Sequence, residues 1–290
     1  MGGRNGLVDG TTSGEPSRPT LSRLDPLTAL SLFALAFVVG GYGTIIGAGG
    51  GFLLVPGLAL LFGLDGANAV GTGAITLALI RIAGAVAYDA QGLVVRPLAA
   101  WFALGSAPVA LLAGWLLTNR FESAVLLTAI GVLLMGLAVF VLLSPTMTVE
   151  TVPTGERLQS GQAHHREPQP RVGVLVGGGA GVGILAGLFA VGGGLVTVPF
   201  LARTHRLTAH QAVASTAAAG TVASSAASVG HALAGNIVWS HTPFLVVGAI
   251  VGSTLGANFA GRLPARTVMA LLALGLLAAG LPLIGVAQWR

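Results

Sequence analysis

Apolar residues in this chain fall in long, nearly unbroken runs, near 27–46, 68–88, 97–117, 124–143, 172–190, 211–236, 241–260 and 266–286. Most approach the roughly 20 residues a helix needs to cross the hydrocarbon core of a bilayer. They predict an all-α polytopic membrane protein with eight spanning helices. Two shorter apolar pieces, 52–63 and 195–202, each follow a glycine triplet. The second is too short to cross, since eight helical residues reach only about 12 Å. The polar run Arg203-Thr204-His205-Arg206 comes next and must lie near an interface. A re-entrant piece after each glycine break fits these lengths; one long broken helix is the alternative.

The two breaks are copies of one pattern. Gly49-Gly50-Gly51 with Pro56 recurs 143 positions later as Gly192-Gly193-Gly194 with Pro199, without gaps. From Gly49 to Val70, ten of 22 positions are identical, which predicts an internal repeat. Glycine and proline are poor material for a helix interior. Lipid tolerates such a break only where protein or a water-filled cavity satisfies the freed backbone groups. Paired breaks in two halves of a membrane chain point to a transport site at Gly49, Gly50, Gly51, Gly192, Gly193 and Gly194, with Pro56 and Pro199 structural. The competing use of the glycines is close helix packing.

The expected organisation is a disordered polar tail (1–26), a first four-helix half (27–143), a polar linker (144–171) and a homologous second half (172–290), each half with its re-entrant break. An even number of crossings per half makes the repeats parallel and an odd number makes them inverted; the sequence leaves this open. Composition supports the membrane class, with 54% hydrophobic and only 8% charged residues. All 14 basic residues are arginine and none cluster, so the net charge of +5 is no nucleic-acid signal. Cysteine is absent, which excludes disulfides and thiolate metal sites. With eight spans, eight arginines fall on the side of both termini and the linker and five on the other, which puts both termini in the cytoplasm. Glycines four apart, Gly248/Gly252/Gly256, Gly177/Gly181 and Gly183/Gly187, predict close helix packing, first within the monomer and second in a homo-oligomer.

Arg81 lies deep in the 68–88 run, where it either faces an anion or snorkels toward Tyr88. Asn68 and Thr72, with Gln211, Ser215 and Thr216 in the second half, start the helices after the breaks. Such groups donate to an oxyanion at a helix N-terminus, or simply cap and pack helices. His231 and Asp89 are the candidates for proton coupling, although no acid lies mid-span. Catalysis is not expected: Ser215 and His231 stand about 24 Å apart along one helix. No cofactor or metal site is predicted, because neither histidine pair has acidic or cysteine neighbours at ligand spacing.

The duplicated Gly-Gly-Gly…Pro elements, followed by Ala-Val-Gly-Thr (69–72) and Ala-Val-Ala-Ser-Thr (212–216), resemble the sulfite exporter TauE/SafE family over roughly residues 27–286. The resemblance implies a bacterial inner-membrane exporter or permease for small sulfur-containing anions such as sulfite or sulfoacetate. It transfers to Gly49, Gly50, Gly51, Pro56, Thr72, Gly192, Gly193, Gly194, Pro199 and Ser215, and not to Arg81 or His231. The expected partners are a small anion and the lipid bilayer, with no nucleic acid. A membrane scaffold and an anion channel are the alternatives.

Overall fold

The structure, a computed structural model, describes residues 25–45, 50–90, 92–143, 171–191, 194–205, 207, 209–260 and 265–287. Among the described residues it is all helical. The elements are α1 (Pro26–Ile45), α2 (Gly51–Leu61), α3 (Gly66–Ala90), α4 (Arg96–Leu112), α5 (Ser123–Leu143), α6 (Val172–Phe189), α7 (Gly194–His205), α8 (Ala209–Leu233), α9 (Thr242–Ala260) and α10 (Ala265–Ala287). A π turn (Ala113–Leu117) and a short 3-10 turn carry α4 on to Arg120. Six of these segments are long and apolar enough to span a membrane, and the protein is a multi-pass membrane protein. The tail through Leu24 and the segment 144–170 lie outside the described residues, as do Gly49, Gly192 and Gly193.

The short helices run back along their predecessors. A Cβ on Gly50 would meet Val39, and one on Gly57 would meet Leu35, so α2 is antiparallel to α1. Gly50 sits at φ 70 with only 2.7 Å from that Cβ position to the Val39 carbonyl, which leaves no place for a side chain. Gly51 against Leu77 and Gly73 against Val55 make α3 antiparallel to α2. In the same way Arg171 lies by His205 and Gly178 by Phe200, so α7 returns along α6. Successive helices therefore alternate in direction through all ten.

All eight expected runs form helices, and the two short folded-back pieces, α2 and α7, bring each set to five. Each set of five helices is odd, so α3 and α8 are antiparallel: Gly71 faces Asn236 and Arg81 faces Ser224. The chain enters α1 and leaves α10 at one face (the first face), whereas α5 ends and α6 begins at the opposite, second face. The 11-residue α2 folds back along α1, as the re-entrant reading expected, and does not continue it as one long broken helix.

Close glycine contacts hold two helix pairs, each parallel. Cβ atoms on Gly248, Gly252 and Gly256 of α9 would lie 2.4, 2.0 and 2.4 Å from the carbonyls of Phe33, Phe37 and Gly41 on α1. On α6 the packing row is Gly179, Gly183 and Gly187 against Phe102, Ser106 and Ala110 of α4. Of the two pairs expected on this helix, Gly183/Gly187 packs as expected, whereas Gly177/Gly181 has nothing within 4 Å. Every such contact described is within the chain. Backbones approach this closely only without side chains, and dispersion then replaces the hydrophobic effect that lipid cannot supply.

Candidate functional site

Two backbone donors left free at helix starts find the hydroxyls of Thr72 and Ser215. Val238 N–H, just before α9, donates to Thr72 Oγ1 at 3.0 Å, and Val95 N–H, just before α4, donates to Ser215 Oγ at 3.0 Å. Each hydroxyl thus ties its helix to the start of another, satisfying a donor that a helix N-terminus leaves unpaired. Both are fully buried, and neither lines the cavity that holds Arg81. Asn68 and Gln211 lie on the same outer turns and line no cavity with Arg81.

The breaks themselves meet in the interior. The Cβ position of Gly51 is 2.9 Å from the Ala190 carbonyl, which precedes the second triplet. Ala190 caps α6 in the left-handed region at φ 48, a strained conformation for a side-chain-bearing residue. Around Gly51 the surroundings are apolar: its Cβ would collide with Leu77 Cδ1 at 2.3 Å. Pro56 is buried inside α2, and Pro199 falls within α7.

Around Gly194 the surroundings are polar. A cavity of about 10 Å³ is lined by Arg81, Gly194, Thr197, Thr216 and Gly220, with Phe102, Val182, Ala186 and Ala223 as its apolar wall. That is room for about one water. The Arg81 guanidinium turns across to α8, where Nη1 donates to Ser224 Oγ at 3.4 Å. Gly220 makes the space, since a Cβ there would lie 2.7 Å from that Nη1. The side chain is directed at α8 rather than along α3 toward Tyr88, which answers the snorkelling alternative. Arg81 lies about 22 Å from the start of its helix and about 14 Å from its end.

No carboxylate neutralises this charge. Among the described residues Asp25, Asp65, Asp89 and Glu122 all stand at helix ends or turns. The one ion pair described joins Asp89 to Arg96 at 3.1 Å on the second face. Inside the cavity, the buried hydroxyls of Thr197 and Thr216 have no hydrogen-bond partner. An unsatisfied buried hydroxyl costs on the order of 1–3 kcal/mol, so two beside an unpaired cation demand an explanation.

His231 has a different setting. It is fully buried, with Nε2 donating to the Gly187 carbonyl at 2.8 Å and Nδ1 within 3.5 Å of Asn236 Nδ2. The ring thereby joins α8 to α6 beside the π turn, where Gly114 contacts it. His241 lies outside the spans, in the turn before α9, tilted against Phe62. Burial lowers its pKa, so it adds no charge to the first face at neutral pH.

Of the residues singled out in the sequence, the structure thus brings together Arg81, Gly194 and Thr216. It keeps Gly50, Gly51, Asn68, Thr72, Gln211, Ser215, His231 and Asp89 outside that cavity. Thr197 and Gly220 were missed. Their signal was departure from the repeat, because 143 positions earlier stand Leu54 and Leu77.

Comparison with known proteins places these residues in a wider group. The family model described as Sulfite exporter TauE/SafE matches residues 32–283. The chain is 25% identical over 265 residues to the probable membrane transporter protein YunE of Bacillus subtilis, covering 87% of this chain and 96% of that protein. It is 23% identical over 261 residues to the probable membrane transporter protein YjnA of the same organism, covering 88% and 100%. The probable membrane transporter protein MJ0441 of Methanocaldococcus jannaschii is 27% identical over 176 residues, 59% of this chain and 60% of that protein. No solved structure matches the chain.

Proposed function

Because the chain belongs to the sulfite exporter TauE/SafE family and is a membrane transporter, we propose that it carries a small oxyanion past Arg81. Sulfite and sulfoacetate are the substrates the family points to. Membership also points to a carrier rather than an enzyme. The observation that carries the reading is one cavity in which an unpaired guanidinium meets two hydroxyls without partners. A charge in the membrane interior is costly unless it serves a passing ion, and an oxyanion would accept from all three donors. The N-terminal end of α7 at Gly194 adds free N–H groups and a partial positive charge. We assign no donor role to Thr72 and Ser215, which do not line the Arg81 cavity.

Residues 27–143 and 172–290 act in this proposal as two inverted halves, with 1–26 as a tail and 144–171 as the joining segment. The reading is supported by the paired Thr72–Val238 and Ser215–Val95 bonds and by the meeting of Arg81 with Ser224, its counterpart 143 positions on. Rocking of the halves would widen the cavity, which at about 10 Å³ is too small for an oxyanion and is no open channel. The halves are chemically unequal, so one anion binds per chain.

The alternating helices also reverse the expected orientation. Arg96, Arg157, Arg166, Arg171, Arg203, Arg206, Arg262 and Arg266 attach to the second face, and only Arg4, Arg18, Arg23, Arg120 and Arg290 to the first. The arginine excess supports a second face in the cytoplasm and both termini outside, in a bacterial inner membrane. Alkaline phosphatase fused after Arg290 is expected to be active and a fusion within 144–171 inactive; the opposite pattern contradicts this orientation.

The test of the site is Thr197→Val with Thr216→Val. With no anion present the double variant is expected to melt no lower than the parent, because it loses two unsatisfied hydroxyls. Its affinity for the transported anion is expected to fall about tenfold or more, from two lost hydrogen bonds to a charge. Unchanged anion-dependent melting in a titration of sulfite and sulfoacetate would remove the cavity from the substrate path.

A further inference from the structure

A second and larger cavity, of about 530 Å³, opens between the last turns of α3, the first turns of α4 and the middle of α8. We propose that it is the aqueous vestibule through which a small anion reaches Arg81 from the second face; the proposal rests on the reading of Arg81 as the counter-charge. The rim carries Asp89 and Arg96, whose side chains are 48% and 78% exposed while bonded to each other. The inner end is formed by Ala85, Ala103 and Thr221. Each adjoins the Arg81 cavity: Ala85 is one turn from Arg81, Ala103 follows Phe102, and Thr221 follows Gly220. Thr221 also donates its hydroxyl to the Arg81 carbonyl at 3.1 Å. From Arg96 to Ala103 the helix descends about 10 Å, so the cleft runs from the surface to the neighbourhood of the guanidinium.

The same two helices close at the other end. Toward the first face a Cβ on Gly230 would lie 2.3 Å from the Leu111 carbonyl, and one on Gly114 3.0 Å from that of Ala227. Helices α4 and α8 touch backbone to backbone near the first face, and near the second the Val95 N–H reaches the Ser215 hydroxyl, so the cavity lies beside this pair and is bounded by α3. Between the Asp89–Arg96 pair at the rim and Thr221 at the inner end the walls are alanine and valine, which give an anion no competing site.

The chain has no cysteine, so an introduced one is its only thiol. Ala218 lines the vestibule and Ile75 is its counterpart on α3, 143 positions earlier. Trimethylammonium-ethyl methanethiosulfonate, which cannot cross lipid, is added to either face of vesicles holding Ala218→Cys or Ile75→Cys protein, each checked for cooperative melting. Ala218→Cys is expected to react from the second face at least about tenfold faster than Ile75→Cys from either face, because only thiols in water form the reactive thiolate. No labelling of Ala218→Cys, as a lipid-filled groove gives, or equal labelling of the two from opposite faces, overturns the vestibule. Sulfoacetate is expected to slow the Ala218→Cys reaction, and to lose that effect once Arg81→Met is added. Rapid labelling indifferent to sulfoacetate in both backgrounds overturns the Arg81 reading and leaves the water path standing.

Discussion

Arg81→Met protein is expected to be more stable than the parent in the absence of anion, and to show no measurable transport. The two effects have one cause. In the empty protein the guanidinium is a buried cation whose described partner is a neutral hydroxyl at 3.4 Å. A charge at mid-helix in a bilayer costs about 3 kcal/mol on insertion scales, and replacing it with an apolar chain of similar length removes that cost. A gain of about 1–3 kcal/mol in unfolding free energy follows, some of it offset by the lost contact to Ser224. For a bound anion the sign reverses. Truncating one partner of a buried charge pair costs about 2–5 kcal/mol, which is a loss of roughly thirtyfold or more in affinity. Unfolding in detergent with and without sulfite, paired with vesicle uptake, reads both. A variant that is destabilised without anion, or that still transports at the parent rate, places Arg81 among the structural residues.

Gly252→Ala is expected to cost the most stability of any single methyl added to this chain. The new Cβ would sit 2.0 Å from the Phe37 carbonyl oxygen, far inside contact distance, and the obstacle is backbone that no side-chain rotation can move. Helices α1 and α9 must separate, which also loosens the close approaches at Gly248 and Gly256. Overpacking of this kind costs about 1–3 kcal/mol in a core, and the loss of neighbouring contacts along the row adds to it. Gly177→Ala and Gly181→Ala have open space around the added atom and are expected to be neutral or to stabilise α6 by up to about 1 kcal/mol. Melting of the three variants side by side checks the contrast; Gly252→Ala melting with the parent would mean that α1 and α9 are not in contact in the membrane.

The sequence showed what lipid demands and little of what tertiary contact decides. Long helices were legible because a bilayer needs about 20 apolar residues in a row, so the run 124–143 became α5 at Ser123–Leu143. That Gly51–Leu61 folds back was legible from its length beside the glycine break, but which helix it lies against was not, because that depends on the close fit of Gly50 to Val39 and Gly57 to Leu35. Spacing found Gly183/Gly187 and Gly248/Gly252/Gly256 but also picked Gly177/Gly181, because Gly177 and Gly179 are equally small and only the position of α4 decides which is used. At the site, Arg81 and Thr216 stood out as polar groups in apolar sequence. Thr72 and Ser215 stood out equally, but each meets a backbone N–H from the other end of the chain, 166 and 120 residues away. Comparing the two copies for differences rather than identities singles out Thr197 against Leu54, Gly220 against Leu77 and Arg81 against Ser224.

A crystal of the protein grown with selenate, a heavier stand-in for sulfur oxyanions, would locate the anion by anomalous scattering. The account predicts one strong peak per chain, within hydrogen-bonding distance of the Arg81 guanidinium and the hydroxyls of Thr197 and Thr216. A peak at the apolar break beside Gly51 and Leu77, or none in the interior at saturating selenate, would contradict it.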